Sequence, residues 1–97
     1  MILNLYSIKD DLAGAFQPPF AHNNKETAKR AIRFALEQPG QNPIKENWKD
    51  KQLFEVGKFD DEKGEIVETK KDFVCNFTEL MNKVEIIKEE PKNYLGE

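Results

Sequence analysis

The stretch that most constrains the fold is residues 23–38, NNKETAKRAIRFALEQ, because this segment alone has an unambiguous helical pattern. Its apolar residues recur three and four positions apart, which is the spacing of one helix face. These residues are Ala28, Ala31, Ile32, Ala35 and Leu36. Asn23 is a suitable N-cap with Glu26 as its capping-box partner, and Pro39-Gly40 ends the helix. Since the apolar face is narrow and made mostly of small side chains, we expect it to pack closely on a flat sheet.

The composition indicates one small domain with a thin core. A chain of 97 residues forms one domain and buries roughly two-thirds of its unfolded surface on folding. Only 38% of the residues are hydrophobic, whereas 34% are charged. Because a thin core is often supplemented by self-association, we expect a homo-oligomer, formed by strand pairing across sheet edges.

The segments on either side of the helix predict an antiparallel sheet. Strand-forming residues occupy Ile2 to Ile8 before the helix. After it come Leu53–Phe59, a hairpin turn at residues 60–64, a return strand at Glu65–Thr69 and a short strand at Phe73–Cys75. Gly64 suits the left-handed position of that turn, and Gly57 indicates a bulge or a close approach by the helix.

The remaining segments predict loops, a second helix and a tail. Residues 11–23 form a proline-containing loop, and residues 41–50 form a connector with one helical turn at residues 44–49. Trp48 in this connector is expected to cover the core. Asn76 resembles an N-cap with Glu79 as partner, which predicts a brief helix to about Lys83. An edge strand at residues 84–87 follows, and residues 89–97 form a flexible acidic tail. The prediction is an α+β fold in the order β-α-β-β-β-α, with a single domain over residues 1–88.

The charge distribution bears on the kind of partner. Residues 1–59 carry nine Lys and Arg against seven Asp and Glu, a balance of +2. Residues 60–97 carry six against eleven, a balance of −5, which gives the net charge of −3. An acidic chain argues against indiscriminate nucleic-acid binding, although it leaves room for a local basic surface.

The sequence offers little for catalysis or for cofactor binding. A lone histidine in a loop, His22, is most often solvated or locally hydrogen-bonded, and nothing around Cys75 indicates a nucleophile–base pair. A single cysteine excludes a disulfide framework and a cysteine-rich metal site. Asp60, Asp61 and Glu62 lack the spacing of a calcium loop. We therefore expect no enzyme, no cofactor and no metal. We also expect no signal peptide and no membrane span, hence a protein of the host cytoplasm.

The helix carries the clearest binding signal. Lys25, Lys29, Arg30 and Arg33 supply four cations, and Phe34 borders the apolar face. Cations that hold phosphates beside rings that stack on bases are typical of single-stranded nucleic-acid sites. Phe16 and Phe20 flank two prolines in the preceding loop and are either core plugs or exposed platforms. The alternative is that the arginines form helix-stabilising ion pairs, Glu26 with Arg30 and Arg33 with Glu37.

Several of these stretches also carry a family resemblance. The opening MILNLYSI, the loop AFQPPF, Asn23, the Ala28-x-Arg30 helix start and Phe34 resemble the small non-structural protein of gokushoviruses. The hairpin LFEVGKFDDEKGEI and the Phe73-Val74 strand match the same pattern, so the resemblance covers about residues 1–80. Gokushoviruses are microviruses, tailless icosahedral phages with circular single-stranded DNA.

The resemblance implies a small DNA-binding or replication-associated protein that is made in the infected cell and not retained in the capsid. It brings no catalytic motif. Two functions follow as hypotheses. The first is a non-enzymatic accessory protein that binds single-stranded DNA during replication or packaging. The second is a protein-interaction factor that acts on the viral initiator, the host replisome or the procapsid without direct DNA binding.

Overall fold

The computed structural model describes residues 1–82 of the chain, and within that range it contains five strands and two helices. The elements are β1 (Ile2–Asp10), β2 (Ala15–Phe16), β3 (Phe20–His22), α1 (Lys25–Glu37), a 3-10 turn (Trp48–Asp50), β4 (Lys51–Asp60), β5 (Glu65–Asn76) and α2 (residues 77–82). One long helix and an antiparallel sheet confirm the predicted α+β class.

Strand β1 lies inside the sheet and organises it. All of its pairings are antiparallel, with β4 along its whole length on one side and with β2 and β3 on the other. Strand β5 pairs with the free side of β4 and forms one edge of the described sheet. The order across the sheet is therefore β2–β1–β4–β5, with β3 beside β1 on the same edge as β2.

The prediction of a loop at residues 11–23 is wrong, because this segment contains β2 and β3. Both strands run back along the edge of β1, so they satisfy backbone groups there that would otherwise face solvent. Pro18 and Pro19 have no N–H to donate and separate the two strands. The element order consequently starts with three strands before α1, and the predicted order β-α-β-β-β-α is corrected to β-β-β-α-β-β-α.

The prediction of two separate strands at Glu65–Thr69 and Phe73–Cys75 is also wrong, since β5 is one strand of 12 residues. The intervening Lys70 forms an ion pair with Glu55 of β4, and Asp72 is the register partner of Glu55. These cross-strand contacts hold a charged segment in the extended conformation, although its own propensity for a strand is low.

Helix α1 packs its apolar face on one side of the sheet, as predicted. Ala28, Ile32 and Leu36 are buried in one cluster with sheet residues, and α2 closes the end of that cluster. The buried partners are Tyr6, Ile8, Leu53, Cys75, Phe77, Leu80 and Met81. Trp48 packs half-buried against this cluster, which confirms its expected position over the core. The predicted apolar face also included Ala31, and this part of the prediction is wrong because Ala31 is exposed.

The N-cap of α1 is Asn24, so the prediction of Asn23 and Glu26 is wrong by one position. The Asn24 side chain accepts a hydrogen bond from the Thr27 backbone N–H at 2.9 Å. The Asn24 N–H donates in return to Thr27 Oγ1 at 3.3 Å, which completes a capping box with threonine in the glutamate's place. The sequence Asn23-Asn24 offers two equivalent caps, and the start of the helix selects the second.

Two glycines have the roles that their positions predict. Gly64 has φ +68° in the turn between β4 and β5 and donates to the Asp60 carbonyl at 2.8 Å. The register of β4 shifts around Gly57, which confirms a bulge there. A Cβ at Gly57 would collide with the carbonyl oxygen of Glu68. The close approach therefore comes from β5 and not from the helix.

The second helix begins at residue 77, directly after Asn76, as predicted. Its predicted end near Lys83, the edge strand at residues 84–87 and the tail at residues 89–97 lie outside the described residues. No helix among residues 1–82 combines the length and the apolar character that crossing a membrane requires.

Candidate functional site

The four predicted cations are spread around α1: at 100° per residue Arg30 points almost opposite to the buried Ile32, whereas Lys25 and Lys29 lie within about 60° of it. Lys25 and Arg30 are exposed and Arg33 is half-buried. Lys29 Nζ lies 3.7 Å from a carboxylate oxygen of Glu26, one turn earlier in the helix. Within residues 1–82 neither arginine forms an ion pair, so the alternative pairs of Glu26 with Arg30 and of Arg33 with Glu37 are absent. Both guanidinium groups remain available to an anion.

Phe34 stands on the outward side of α1 instead of bordering the apolar face. It is 64% exposed and lies one turn after Arg30. At 100° per residue it points almost opposite to the buried Ile32. The helix surface thus combines four cations with a single exposed ring.

Phe16 and Phe20, which the sequence places near each other, lie on different sides of the sheet. Phe20 packs half-buried against the core, with its ring centroid 6.3 Å from that of Tyr6, and is therefore a plug. Phe16 is the register partner of Lys9 and contacts the ring of Phe54, on the side away from α1. The sequence-predicted site residues are consequently distributed over three separate surfaces.

The side of the sheet away from α1, here called the open face, carries a row of three phenylalanines. The ring centroids of Phe16 and Phe54 are 5.3 Å apart, and those of Phe54 and Phe73 are 5.8 Å apart, both edge-to-face. Phe16 is 42% and Phe73 is 52% exposed. Ser7 of β1 is the register partner of Phe54, and its small side chain lets the rings of Phe16 and Phe54 meet across β1. We call these three residues the phenylalanine row.

Sequence reasoning missed Phe54 and Phe73 because it placed each residue in a strand without predicting on which face of the sheet its side chain lies. The only signal was their alternation with residues that enter the core, Leu53 before Phe54 and Cys75 after Phe73. Two rings separated this far in sequence become neighbours through the register of β4 and β5.

Charged side chains are segregated between the two faces of the sheet. Register partners lie on the same face, so the pairing of each strand residue assigns its side. Every carboxylate of the described strands lies on the α1 side: Asp10, Glu55, Asp60, Glu65, Glu68 and Asp72. On the open face the charged strand residues are Lys9 and Lys71. Lys9 also pairs with Asp11 at 3.3 Å, at the end of the strand.

The carboxylates on the α1 side form a structural network around Lys70. Lys70 Nζ contacts the buried carboxylate of Glu55 and lies 3.6 Å from Asp72 and 3.7 Å from Glu68. The hydrogen bond to Glu55 raises the pKa of Lys70 above its usual value. Burial raises the pKa of Tyr6, whose hydroxyl accepts a long hydrogen bond from Asn4 at 3.4 Å. This cluster places a cation beside the buried carboxylate of Glu55.

A small cavity of about 230 Å³ lies between α1, β3 and the connector. Phe20, Ile32 and Ile44 line it with apolar groups, and His22 lies at its wall. The His22 ring contacts the Phe20 ring edge-to-face at 5.6 Å, a packing position. Among the described residues no group of three or more His, Cys, Asp and Glu side chains is arranged to hold a metal ion.

Comparison with known protein families identifies the family of the chain. No curated protein and no solved structure matches the chain. The sequence profile of a phage family, described as Phage ORF5 protein, matches residues 3–80. This range includes α1, every described strand apart from Ile2 at the start of β1, and all three members of the phenylalanine row. The chain belongs to the Phage ORF5 protein family.

Proposed function

We propose that this phage protein is a non-enzymatic accessory factor that binds single-stranded DNA on the open face of its sheet. The observation that supports the proposal is the phenylalanine row, an exposed line of rings on a face whose charged strand residues are both lysines. Aromatic side chains stack on unpaired bases, and cations beside them hold the backbone.

The geometry of the row favours a single strand. The rings cross the sheet from β2 to β5 with centroids 5.3 Å and 5.8 Å apart, so successive bases of an extended strand can each meet a ring. Bases within a duplex are already stacked on one another and do not expose their faces. Because every base has a π-face, such binding depends little on sequence.

The resemblance to gokushovirus non-structural proteins indicates at which stage of infection this activity would be used. In a microvirus the progeny genome is single-stranded, and a protein that covers it would act in replication or packaging in the host cytoplasm. Viral or host replication and packaging proteins are then its partners. The cations on α1 lie on the helix that covers the other side of the sheet and form a separate contact surface for such a partner.

A second candidate function is a protein-interaction factor that acts on the viral initiator, the host replisome or the procapsid. The net charge of −3 favours it, because nucleic-acid-binding domains are usually basic. Exposed apolar side chains on the open face are compatible with a protein partner as well.

A pair of matched ring deletions tests the first function. Phe73→Ala removes a ring of the row and Phe34→Ala removes a ring of α1, and both side chains are more than half exposed, so neither change should affect folding. We expect Phe73→Ala to weaken binding to a labelled oligo-dT by about 5- to 150-fold, equivalent to about 1–3 kcal/mol per stacked base. Phe34→Ala should bind like the parent protein in the same anisotropy titration.

Three results would contradict this site. Loss of affinity in Phe34→Ala alone would place the DNA on α1. Equal affinity for an oligo-dT and for a duplex of the same length would exclude base stacking. Absence of binding at ~50 mM salt, where phosphate contacts are least screened, would favour the protein-interaction factor.

A further inference from the structure

The cavity between α1, β3 and the connector, here called the slot, has a polar side chain at each end. Gln17 lies at one end, where its backbone N–H donates to the Ile8 carbonyl of β1 at 2.8 Å. His22 lies at the other end, as the register partner of Asn4. Asn4 and Ile8 are four residues apart along β1, about 13 Å in an extended strand. A molecule in the slot therefore meets one polar group at each end.

Both polar side chains have unused hydrogen-bonding capacity. Within residues 1–82, the Gln17 carboxamide and the His22 ring nitrogens form no hydrogen bond with another protein group, although both residues are half-buried. A carboxamide offers a donor and an acceptor side by side, and a neutral imidazole offers one of each. Because polar groups away from bulk water are normally hydrogen-bonded, a ligand that bonds both ends would satisfy them.

The walls of the slot select for size and for neutrality. Apart from Gln17 and His22, the side chains that line it are apolar: Ile8, Phe20, Ala31, Ile32 and Ile44. A charged ligand would lose its hydration there without gaining a counter-charge. An apolar cavity of about 150 Å³ holds benzene, so a volume of about 230 Å³ suits a molecule of roughly nine or ten non-hydrogen atoms. That is the size of two fused rings.

We propose that the slot binds a purine base. A purine is flat, neutral and bicyclic, and it carries hydrogen-bonding atoms on opposite edges, whereas a bicyclic hydrocarbon of the same size would leave both ends of the slot unpaired. Glutamine pairs with the adjacent donor and acceptor of adenine. Proteins that hold a single base combine such hydrogen bonds to its edge with aromatic and apolar side chains against its faces. Phe20 and Ile32 are such side chains in the slot.

This purine site goes beyond the proposed function, because the slot lies on the α1 side of the sheet and the phenylalanine row lies on the open face. The base can come from two sources with the same chemistry. One is a free purine, and the other is a base of a DNA strand that reaches the α1 side.

Filling the slot tests the site on the full chain. In a saturation-transfer NMR titration we expect adenine to bind with a Kd of roughly 0.1–1 mM, as suits so small a ligand. Ala31→Leu places a larger side chain at the exposed edge of the slot and should weaken adenine binding about tenfold or more, with an unchanged circular dichroism spectrum. The matched control is Ala21→Leu, at an exposed residue of β3 outside the slot, which should bind adenine like the parent protein.

Substitutions at the two ends test whether the edges of the base are read. His22→Phe keeps a ring and Gln17→Met keeps the chain length, and each removes the hydrogen-bonding atoms from one end. Each should weaken adenine binding by about 2- to 10-fold, equivalent to one lost hydrogen bond. Binding of indene, a bicyclic hydrocarbon of similar size, should not change.

Three results would overturn the proposal. The first is no saturation transfer to adenine at ~5 mM, well above the expected Kd. The second is unchanged adenine binding in folded Ala31→Leu, which would place the purine elsewhere. The third is an equal effect of the end substitutions on adenine and indene, which would mean an apolar void without base recognition.

An oligo-dA titration then identifies the source of the base. If Ala31→Leu weakens the binding of oligo-dA as well as that of adenine, the slot takes a base of a strand. If it weakens the binding of adenine alone, the ligand is a free purine. Both results support the slot, and neither depends on the effect of Phe73→Ala on binding at the phenylalanine row.

Discussion

At the scale of single residues, the carboxylate of Glu55 is a charge that the fold buries beside its partner. It lies on the core side of β4 with only 5% of the residue exposed, and Lys70 of β5 is its cation. A buried carboxylate without a partner is costly, so the Lys70 ammonium group stabilises the fold mainly by preventing that cost. The same pair explains why the charged middle of β5 remains a strand.

Lys70→Met should therefore lower the free energy of unfolding at pH 7, whereas Lys71→Met, one residue along on the open face, should leave it unchanged. The pKa of Lys70 is raised above its usual 10.5 by the hydrogen bond to Glu55. Because folding raises this pKa, the contribution of the charged Lys70 to the free energy of unfolding is fully present below pH 10.5. It is lost as the pH rises through the raised value. Denaturant melts at increasing alkaline pH should show the difference between the parent and Lys70→Met shrinking only above pH 10.5. A constant difference across that range would exclude the charge as its cause.

At the scale of elements, α1 is attached to the sheet by a face of three side chains. Ala28, Ile32 and Leu36 are buried, while Ala31, one position before Ile32, is exposed. Because the helix has 3.6 residues per turn, adjacent positions lie on different sides of it. The same substitution should therefore lower the stability far more at Ile32 than at Ala31.

Ile32→Asp should lower the free energy of unfolding by more than about 3 kcal/mol, because it places an unpaired charge in the apolar cluster. Ala31→Asp adds the same charge to the same helix and should change stability by less than about 1 kcal/mol, mostly through helix propensity. Thermal melts of both variants make the comparison. Similar melting temperatures for the two would mean that α1 does not pack on the sheet through Ile32.

At the scale of the whole molecule, the distribution of charge matters more than its total. The chain is acidic, yet the carboxylates of its described strands lie on the α1 side and both lysines of the open face lie on the other. An acidic protein can therefore present a local surface that an anionic strand approaches. The two candidate surfaces differ in cation number: two on the open face and four on α1.

The salt dependence of binding distinguishes these surfaces. Each phosphate contact on a single strand contributes about −0.7 to the slope of log affinity against log salt, so the open face gives about −1.4 and α1 about −2.8. We expect the smaller slope for an oligo-dT, and Lys71→Glu should flatten it further. The double charge reversal Arg30→Glu with Arg33→Glu should leave it unchanged. A slope of about −2.8 that the arginine reversal reduces and Lys71→Glu does not would assign the DNA strand to α1.

Features that depend on neighbours along the chain can be predicted from the sequence. The apolar period of α1, the glycine turn at Gly64 and the start of a helix after Asn76 are local, since each requires only residues within one or two turns. The outward position of Arg30 follows from the same period. Phe16 was the one member of the phenylalanine row that sequence reasoning named, because its position beside two prolines marked it.

Which residues share a face of the sheet depends instead on pairing between segments that are distant in the chain. Strand side chains alternate, so one additional residue on one strand moves everything beyond it to the opposite face. The register shifts at Val56 and Val74 do this; Gly57 marks the first, and nothing in the local sequence marks the second. They place Phe54 and Phe73 together and send the carboxylates of β4 and β5 to the other side. The phenylalanine row is therefore a product of register, which depends on long-range pairing.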